Sequence, residues 1–424
     1  MPPYPMYPES RHGRHWFSYA GLYLLLALVL GGGTRGGLMS DAILFLLGLP
    51  LAWHFFKTFP GRESRLVSGF ILAAFALFLW QLFPWYGAQG LRFPNTVDAW
   101  RTLQAFIMFL ITVSLFWRLA GESDDGRWLA ARWMFVGVAL NLLFSLLVYA
   151  GNNRVFEPFG WRMHAGFFAN ENHLALLYVI CTPLIVAWFG KSRWPWLSLP
   201  VILGLVAVNF VVGSRAGVSL IILAAVLSYV YVLANRRMML IVLLAAAALG
   251  GWWLFARLGW SEDITPGESG VNRMAFWLNT WKAIRDYWPW GSGFGTFVPV
   301  YAGYEQLEEI GRKYVNRAHN DWLELMLEGG LMAMVLAGVL VLALLKRFFL
   351  NNSAAEQRAS FLAVLFILIH SVVDYPLRTM AIAACAALLM AWIFRLDQSR
   401  RRHVPLKHAH GMIEQPLQAG AYGK

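Results

Sequence analysis

Long apolar runs, separated by short polar segments, recur from residue 16 to residue 394. A run of about 20 apolar residues can cross roughly 30 Å of hydrocarbon as an α-helix, which satisfies its own backbone hydrogen bonds. The pattern predicts an all-α polytopic membrane protein with about twelve transmembrane helices. The predicted helices cover residues 16–33, 38–56, 66–84, 101–117, 133–150, 172–189, 196–213, 217–234, 238–256, 327–345, 359–373 and 379–394.

The polar segments divide the chain into five parts. We expect a cytoplasmic N-terminal tail at 1–15, nine helices within 16–256, a large outer loop at 257–320, three helices within 321–394 and a cytoplasmic tail at 395–424. Within the loop, one face of a helix is predicted by apolar residues at helical spacing, namely Met274, Trp277, Leu278, Trp281 and Ile284. The stretch PWGSGFGTF that follows favours turns. An amphipathic, Trp-rich helix of this kind is typical of the membrane interface.

The composition agrees with a membrane protein. Of the 424 residues, 58% are hydrophobic and 14% are charged, whereas about a quarter of a soluble chain is charged. The net charge of +12 reflects topology, because about 20 of the 35 Lys and Arg fall in inner loops when both termini are cytoplasmic. No basic face with interleaved aromatic residues lies outside the predicted helices, which argues against nucleic acid as a partner. Cys181 and Cys385 both lie in predicted helices, where buried thiols are expected.

The basic residues predicted on the outer side are unusual in type. Fourteen fall there, and twelve of them are Arg. Arg offers a planar, permanently charged fork that binds phosphate oxygens bidentately. The set therefore indicates an anionic ligand such as a diphosphate, although any single Arg can instead extend to lipid headgroups.

Four polar constellations interrupt the apolar pattern, and we expect all of them at the same membrane face. FFANENHLALLYVI opens the sixth predicted helix, VVGSRAGVSLII contains a short turn with Arg215, and RAHNDWLELMLEGG closes the large loop. HSVVDYPLRTMAIAA, near the C-terminus, carries Asp374 and Arg378 around Pro376. We expect Asp374 to pair with Arg378 across that proline.

These motifs, together with NRMAFWLNTWKAIRDYWPWGSGFGTF in the loop, resemble the O-antigen ligase and Wzy-type polymerase superfamily over roughly residues 165–395. The resemblance implies a GT-C-like membrane glycosyltransferase in the bacterial inner membrane, with its active site facing the periplasm. The implied donor is a glycan on undecaprenyl diphosphate. The implied acceptor is a lipid-linked glycan in polymerases or the lipid A-core in ligases. Membrane lipids are the other expected partners, and neither a cofactor nor a metal is implied.

The resemblance also assigns His319 as the residue that accepts a proton from the acceptor hydroxyl. Asp321 or Glu324 is expected to orient its ring. An alternative keeps His319 as a helix-start residue bonded to a carbonyl, with the carboxylates favoured by the helix dipole.

For the diphosphate, Arg215 is the first candidate and Arg273 the second, followed by Arg317 and Arg378. The glycines around Arg215 permit close backbone approach. The acceptor side is expected to include Glu171, Asn172, His173 and Asn320, unless those polar groups hold helices together.

Three other functions compete with the leading one. Between polymerase and ligase we favour polymerase, because nothing in the loop is specialised for a phosphorylated lipid A-core. A transporter or flippase for a lipid-linked oligosaccharide fits twelve helices equally well. It does not explain a long polar loop, and the two halves of the sequence show no internal repeat. A non-catalytic scaffold leaves outward arginines beside a histidine unexplained.

Overall fold

The computed structural model describes residues 18–32, 37–59, 65–81, 85–87, 90–92, 99–150, 166–232, 273–306, 315–350 and 354–396. The ninth predicted helix at 238–256, the N-terminal tail, the first part of the large loop and nearly all of the C-terminal tail lie outside these residues. The described part is helical apart from one antiparallel hairpin, which consists of β1 (Trp85–Gly87) and β2 (Gly90–Arg92).

The helices follow one another along the whole described chain. In order they are α1 (Tyr19–Leu30), α2 (Gly37–Thr58), α3 (Arg65–Trp80), α4 (Ala99–Ala120), α5 (Asp124–Ala150), α6 (Glu171–Gly190), α7 (Ser198–Val212), α8 (Arg215–Leu227), α9 (Arg273–Tyr287), α10 (Phe297–Tyr301), α11 (Asp321–Leu350), α12 (Ala355–His370) and α13 (Met380–Ile393). Short 3₁₀ turns occupy Pro195–Leu197 and Pro376–Arg378, and a π turn at Ser228–Val232 extends α8.

Each predicted membrane helix that falls on described residues coincides with an observed helix, α1 to α8 and α11 to α13. Six described segments are long and apolar enough to cross a membrane, namely Met39–Thr58, Trp100–Ala120, Asp124–Ala150, Glu171–Gly190, Pro195–Val212 and Asp321–Phe349. Shorter apolar helices are Tyr19–Leu30, Arg65–Trp80, Gly217–Val232 and Met380–Ile393. The chain is thus a helical protein with several potential membrane spans, and the number twelve is not confirmed.

Helix α6 forms the centre of the bundle. Every side chain from His173 to Ala187 is buried, as expected for a helix that is apolar on all sides. It packs against α7, α8 and α12. Asn170 caps its first turn, because its side-chain oxygen accepts a hydrogen bond from the backbone N–H of Asn172 at 2.9 Å. This packing holds the polar start of α6 in a defined place.

Helix α11 is broken at Gly330, which has φ 61° and ψ −155°. The preceding loop takes over the hydrogen bonds that the break releases. Ser292 and Gly293 donate their backbone N–H groups to the carbonyls of Leu327 and Glu328 at 2.8 and 2.9 Å, and Leu331 donates to the carbonyl of Pro289 at 2.8 Å. The loop is therefore fixed to α11 through the main chain.

The break also divides α11 by length. Residues 331–350 would extend about 30 Å at 1.5 Å per residue, which matches the hydrocarbon thickness by itself. The nine residues before Gly330 carry Asp321, Glu324 and Glu328. The acidic part of α11 is therefore not needed to span the membrane, and it packs against α9, α10 and the 3₁₀ turn at Pro376–Arg378 instead.

Candidate functional site

His319 lies immediately before α11 in an unusual backbone conformation. Its φ is 51°, and it is the one non-glycine with positive φ among the described residues. Such conformations persist only where the surroundings hold them, and they cluster at functional sites. The imidazole is 17% exposed, and its Nδ1 lies 3.2 Å from Oδ1 of Asp374. Phe276 stacks near the ring at 6.0 Å between centroids, and Tyr375 meets it edge-on at 4.9 Å.

Asp374, in the turn between α12 and α13, is fully buried and accepts several hydrogen bonds. Its Oδ1 accepts from the backbone N–H of Tyr375 at 3.0 Å, and its Oδ2 accepts from the side-chain amide of Asn172 at 3.2 Å. The amide of Asn170 lies 3.4 and 3.3 Å from the two oxygens. The start of α6 and the turn after α12 are thereby joined through one carboxylate.

Positive and titratable groups complete the surroundings of Asp374. Nε2 of His173 lies 3.7 Å from Oδ1, and Nη2 of Arg273 lies 4.0 Å from Oδ2. Burial alone would raise the pKa of Asp374, but hydrogen bonds from His173 and His319 and the charges of those rings hold this pKa well below its ordinary value. Asp374 is therefore ionised at neutral pH and serves as a hydrogen-bond acceptor.

The turn between α7 and α8 belongs to the same assembly. Ser214 caps α8 and donates its hydroxyl hydrogen to Oδ1 of Asn172 at 3.0 Å. Arg215 follows as the first residue of α8, but its side chain lies outside the described part of the chain. Glu171 is exposed, and its Oε2 would lie 3.7 Å from a Cβ added at Gly213. The four polar constellations of the sequence thus meet at one end of the bundle.

A second cluster is centred on Arg378. Nη1 of Arg378 donates to Oε2 of Glu328 at 2.6 Å, and its Nε lies 3.4 Å from Glu324 and 3.6 Å from Asp321. These three carboxylates share one face of α11, because they are separated by three and four residues. Burial alone would lower the pKa of Arg378, but the carboxylates raise this pKa above its ordinary value.

The cluster also fastens the large loop to α11. Arg317 donates to Oε1 of Glu324 at 2.7 Å, and the backbone N–H of Ala318 donates to Oε2 of Glu324 at 3.2 Å. Oε1 of Glu328 accepts from the backbone N–H groups of Gly295 and Phe297 at 3.0 and 3.2 Å. Both arginines are thus bound to carboxylates, which accounts for their positions without a diphosphate.

Two expectations from the sequence need correction. Asp374 does not take Arg378 as its partner across Pro376, since Asp374 contacts His319 and Arg378 contacts the carboxylates of α11. The carboxylate beside the imidazole is Asp374 rather than Asp321 or Glu324. Asp321 instead accepts from the hydroxyl of Ser371 at 2.9 Å and from the backbone N–H of Leu377 at 3.1 Å.

Asn320 serves as the cap of α11. Its Oδ1 accepts from the backbone N–H groups of Trp322 and Leu323, each at 3.0 Å. This is the bond that an N-cap asparagine makes. Its side chain is therefore engaged in starting the helix.

Sequence reasoning missed Asn170, Tyr375 and Glu328. Glu328 carried a usable signal, because Asp321, Glu324 and Glu328 repeat at helical spacing. The contacts of Asn170 and Tyr375 depend on which helices pack together, so no local sequence pattern predicts them. Within the described residues, no group of three or more His, Cys, Asp or Glu side chains is arranged to hold a metal ion.

Part of this assembly lies in a region that resembles a known family. No curated protein matches the chain. A family model described as O-antigen ligase matches residues 161–338. The matched region includes the start of α6, Arg215, Arg273 and His319, whereas Asp374 and Arg378 follow it. The resemblance to the O-antigen ligase and Wzy-type superfamily is confirmed over residues 161–338, in a helical chain with several potential membrane spans.

Proposed function

We propose that the protein is a membrane glycosyltransferase that moves a glycan from undecaprenyl diphosphate to the hydroxyl group of an acceptor sugar. The observation that supports this most directly is the pairing of the partly exposed His319 with the buried carboxylate of Asp374. A carboxylate bonded to one ring nitrogen fixes the tautomer and leaves the other nitrogen as the base.

In this reaction, Nε2 of His319 takes the proton of the acceptor hydroxyl as its oxygen attacks the anomeric carbon of the donor. The new glycosidic bond forms while the bond between that carbon and the diphosphate oxygen breaks. The electron pair leaves with undecaprenyl diphosphate. Asp374 stabilises the imidazolium until its proton is released to water or to the departing diphosphate.

The leaving diphosphate needs cations that are not already neutralised. Arg273 fits this role, because its side chain is 38% exposed and its contact with Asp374 is as long as 4.0 Å. Arg215 is the second proposed cation. It follows Ser214, whose hydroxyl donates to Asn172 at the same end of the bundle. Arg317 and Arg378 support the site through α11 in this proposal.

The proposed side is the periplasmic face of the inner membrane. This assignment rests on the basic inner loops of the sequence, which place the starts of α6 and α8 outward. Lipid-linked glycans are expected to reach the site from the outer leaflet.

The acceptor separates two versions of this function. We favour polymerisation, in which the acceptor is another lipid-linked glycan, because the loop sequence shows no feature suited to a phosphorylated lipid A-core. Ligation to lipid A-core is the second candidate, and the description of the matching family favours it.

The test supplies purified protein in vesicles with undecaprenyl-diphosphate oligosaccharide, with and without lipid A-core. Longer glycans without core lipid would establish a polymerase, and glycan attached to core lipid would establish a ligase. Movement of the lipid-linked glycan across the vesicle membrane without a new glycosidic bond would contradict the enzyme proposal and indicate a flippase. A variant with His319→Ala is the control for protein-dependent transfer.

A further inference from the structure

The second histidine of the site, the buried His173, is not needed for the proton transfer described above. We propose that His173 is a positioning residue, which holds Asp374 and Tyr375 in the places from which they fix the ring of His319. This inference rests on the proposed function, because it assigns His173 a part in the same reaction.

The first argument is that two imidazoles share one carboxylate oxygen. Oδ1 of Asp374 lies 3.2 Å from Nδ1 of His319 and 3.7 Å from Nε2 of His173. The amide of Asn170 also lies 3.4 Å from Nε2 of His173. The contact with His173 therefore restrains the oxygen on which the orientation of His319 depends.

The second argument concerns the space between the two imidazoles. The ring of Tyr375 meets the ring of His173 edge-on at 4.8 Å and 87°, and it meets the ring of His319 edge-on at 4.9 Å and 74°. The Tyr375 ring thus contacts both imidazoles, while its backbone N–H donates to Oδ1 of Asp374. A displacement of His173 would be transmitted to His319 through both Tyr375 and Asp374.

The third argument is that packing alone does not explain a histidine here. His173 is 1% exposed, and its Nδ1 has no hydrogen-bond partner. A buried polar atom without a partner costs stability, and an apolar side chain of similar size would avoid this cost. The polar contact of Nε2 is what an apolar residue would lack.

Two variants of His173 can distinguish the roles of its two ring nitrogens. A Gln side chain places its amide near the position of Nε2, whereas the shorter Asn places its amide near the position of Nδ1. Because only Nε2 approaches Asp374, His173→Gln is expected to replace the histidine and His173→Asn is not. His173→Leu removes both polar atoms while it keeps most of the volume.

The experiment measures glycan transfer and thermal unfolding of the full-length protein in the vesicle assay. His173→Asn and His173→Leu are expected to lower kcat about 10- to 100-fold, the range typical for residues that orient another ligand or catalytic group. KM for the donor should stay within about twofold, because the diphosphate contacts are unchanged. His173→Gln should retain most of the wild-type kcat. Ile180→Leu, two turns along α6 on the same face, is the control for a conservative change in buried volume.

The outcomes separate this inference from the function on which it rests. Equal kcat in the Gln and Asn variants, at equal thermal stability, would overturn the positioning role. Wild-type kcat in His173→Leu would overturn it as well. If that variant is not recovered from the membrane, the comparison of Gln with Asn decides alone. Absence of transfer by the wild-type protein would instead contradict the proposed glycosyltransferase function.

Discussion

The carboxylate of Asp374 lies 3.2 Å from Nδ1 of His319, although 55 positions separate the two residues in the chain. One residue precedes α11 and the other follows α12, so the contact forms only when those helices lie side by side. In the proposed reaction, this pair consists of the proton acceptor and the group that orients it.

Asp374→Asn should preserve the shape of the buried side chain and remove its charge. The amide can no longer stabilise an imidazolium, and it can favour the wrong tautomer of His319. We expect kcat to fall by about 10²- to 10⁴-fold, as in other enzymes where an oriented histidine loses its carboxylate. Glycan transfer by purified protein measures this. Asp286→Asn, an exposed carboxylate that accepts a hydrogen bond from Tyr304 on the surface, should leave the rate unchanged.

His319→Ala should abolish transfer while the protein remains inserted and stable. General base catalysis contributes about 10²- to 10⁴-fold to a rate, so at least that much should be lost. Stability should change little, because Asp374 keeps its hydrogen bonds from Asn172, Asn170 and the backbone N–H of Tyr375. Wild-type yield from this variant would remove the assigned role.

Arg378 and Arg273 should respond differently to the same change. Arg378→Gln leaves the buried carboxylate of Glu328 without its cation and Glu324 with Arg317 alone, and removing one partner of a buried ion pair typically costs about 3–5 kcal/mol. The thermal unfolding temperature should therefore drop sharply.

Arg273→Gln should cost little stability, since its ion contact is long and its side chain is partly exposed. Transfer should nevertheless fall by about 10²-fold, as when one stabilising cation or donor is removed. Unfolding and transfer measured on both variants test this division. A large loss of stability in Arg273→Gln, or full transfer by that variant, would contradict it.

Arg215→Lys keeps a positive charge and loses the bidentate fork that binds phosphate oxygens. We expect this variant to lose much of its transfer activity while its expression in the membrane stays normal. Full activity with Lys would exclude diphosphate binding of that kind at this position. Arg118→Lys, in a partly exposed ion pair with Glu122 in the segment that joins α4 to α5, is a matched control.

Gly330→Ala should destabilise the protein. A Cβ at this residue would lie 2.3 Å from the carbonyl oxygen of Pro289, and the φ of 61° is strained for an alanine. We expect a loss of at least about 1–3 kcal/mol. Gly338→Ala, later in the same helix, meets no atom within 4 Å and should be neutral or stabilising. Thermal unfolding of the two variants gives the comparison, and equal stability would show that the break in α11 tolerates a side chain.

The helices were predictable because hydrophobic runs report directly on burial in a bilayer or a bundle. The helix at Arg273–Tyr287 was also predictable from its spacing. The division of its apolar face into exposed and buried residues was not. Met274, Leu278 and Trp281 are exposed, whereas Ile284 is 3% exposed, because the loop has a small core of its own. The identity of that buried face depends on the neighbouring elements rather than on α9 alone.

The site was predictable in its residue types and less so in its pairings. His319, Arg273 and the start of α6 stood out because polar groups are rare beside apolar runs. The sequence favoured a local partner for Asp374 because Arg378 is four residues away. In the structure, tertiary packing decides the pairing instead. Three carboxylates of α11 contact Arg378, and Asp374 contacts His173 and His319. Contacts of this kind, between segments that are distant in sequence, produce no periodic pattern from which they could be predicted.

Asn170 has a consequence for biogenesis, since one side chain both starts α6 and contacts Asp374. A nascent polypeptide that has inserted everything up to His319 still lacks the acidic partner, which emerges only with the hairpin of α12 and α13. Under the proposed function, a chain becomes competent only once α12 and α13 have been made, and a shorter chain stalled in the translocation machinery would be unable to consume the lipid-linked donor.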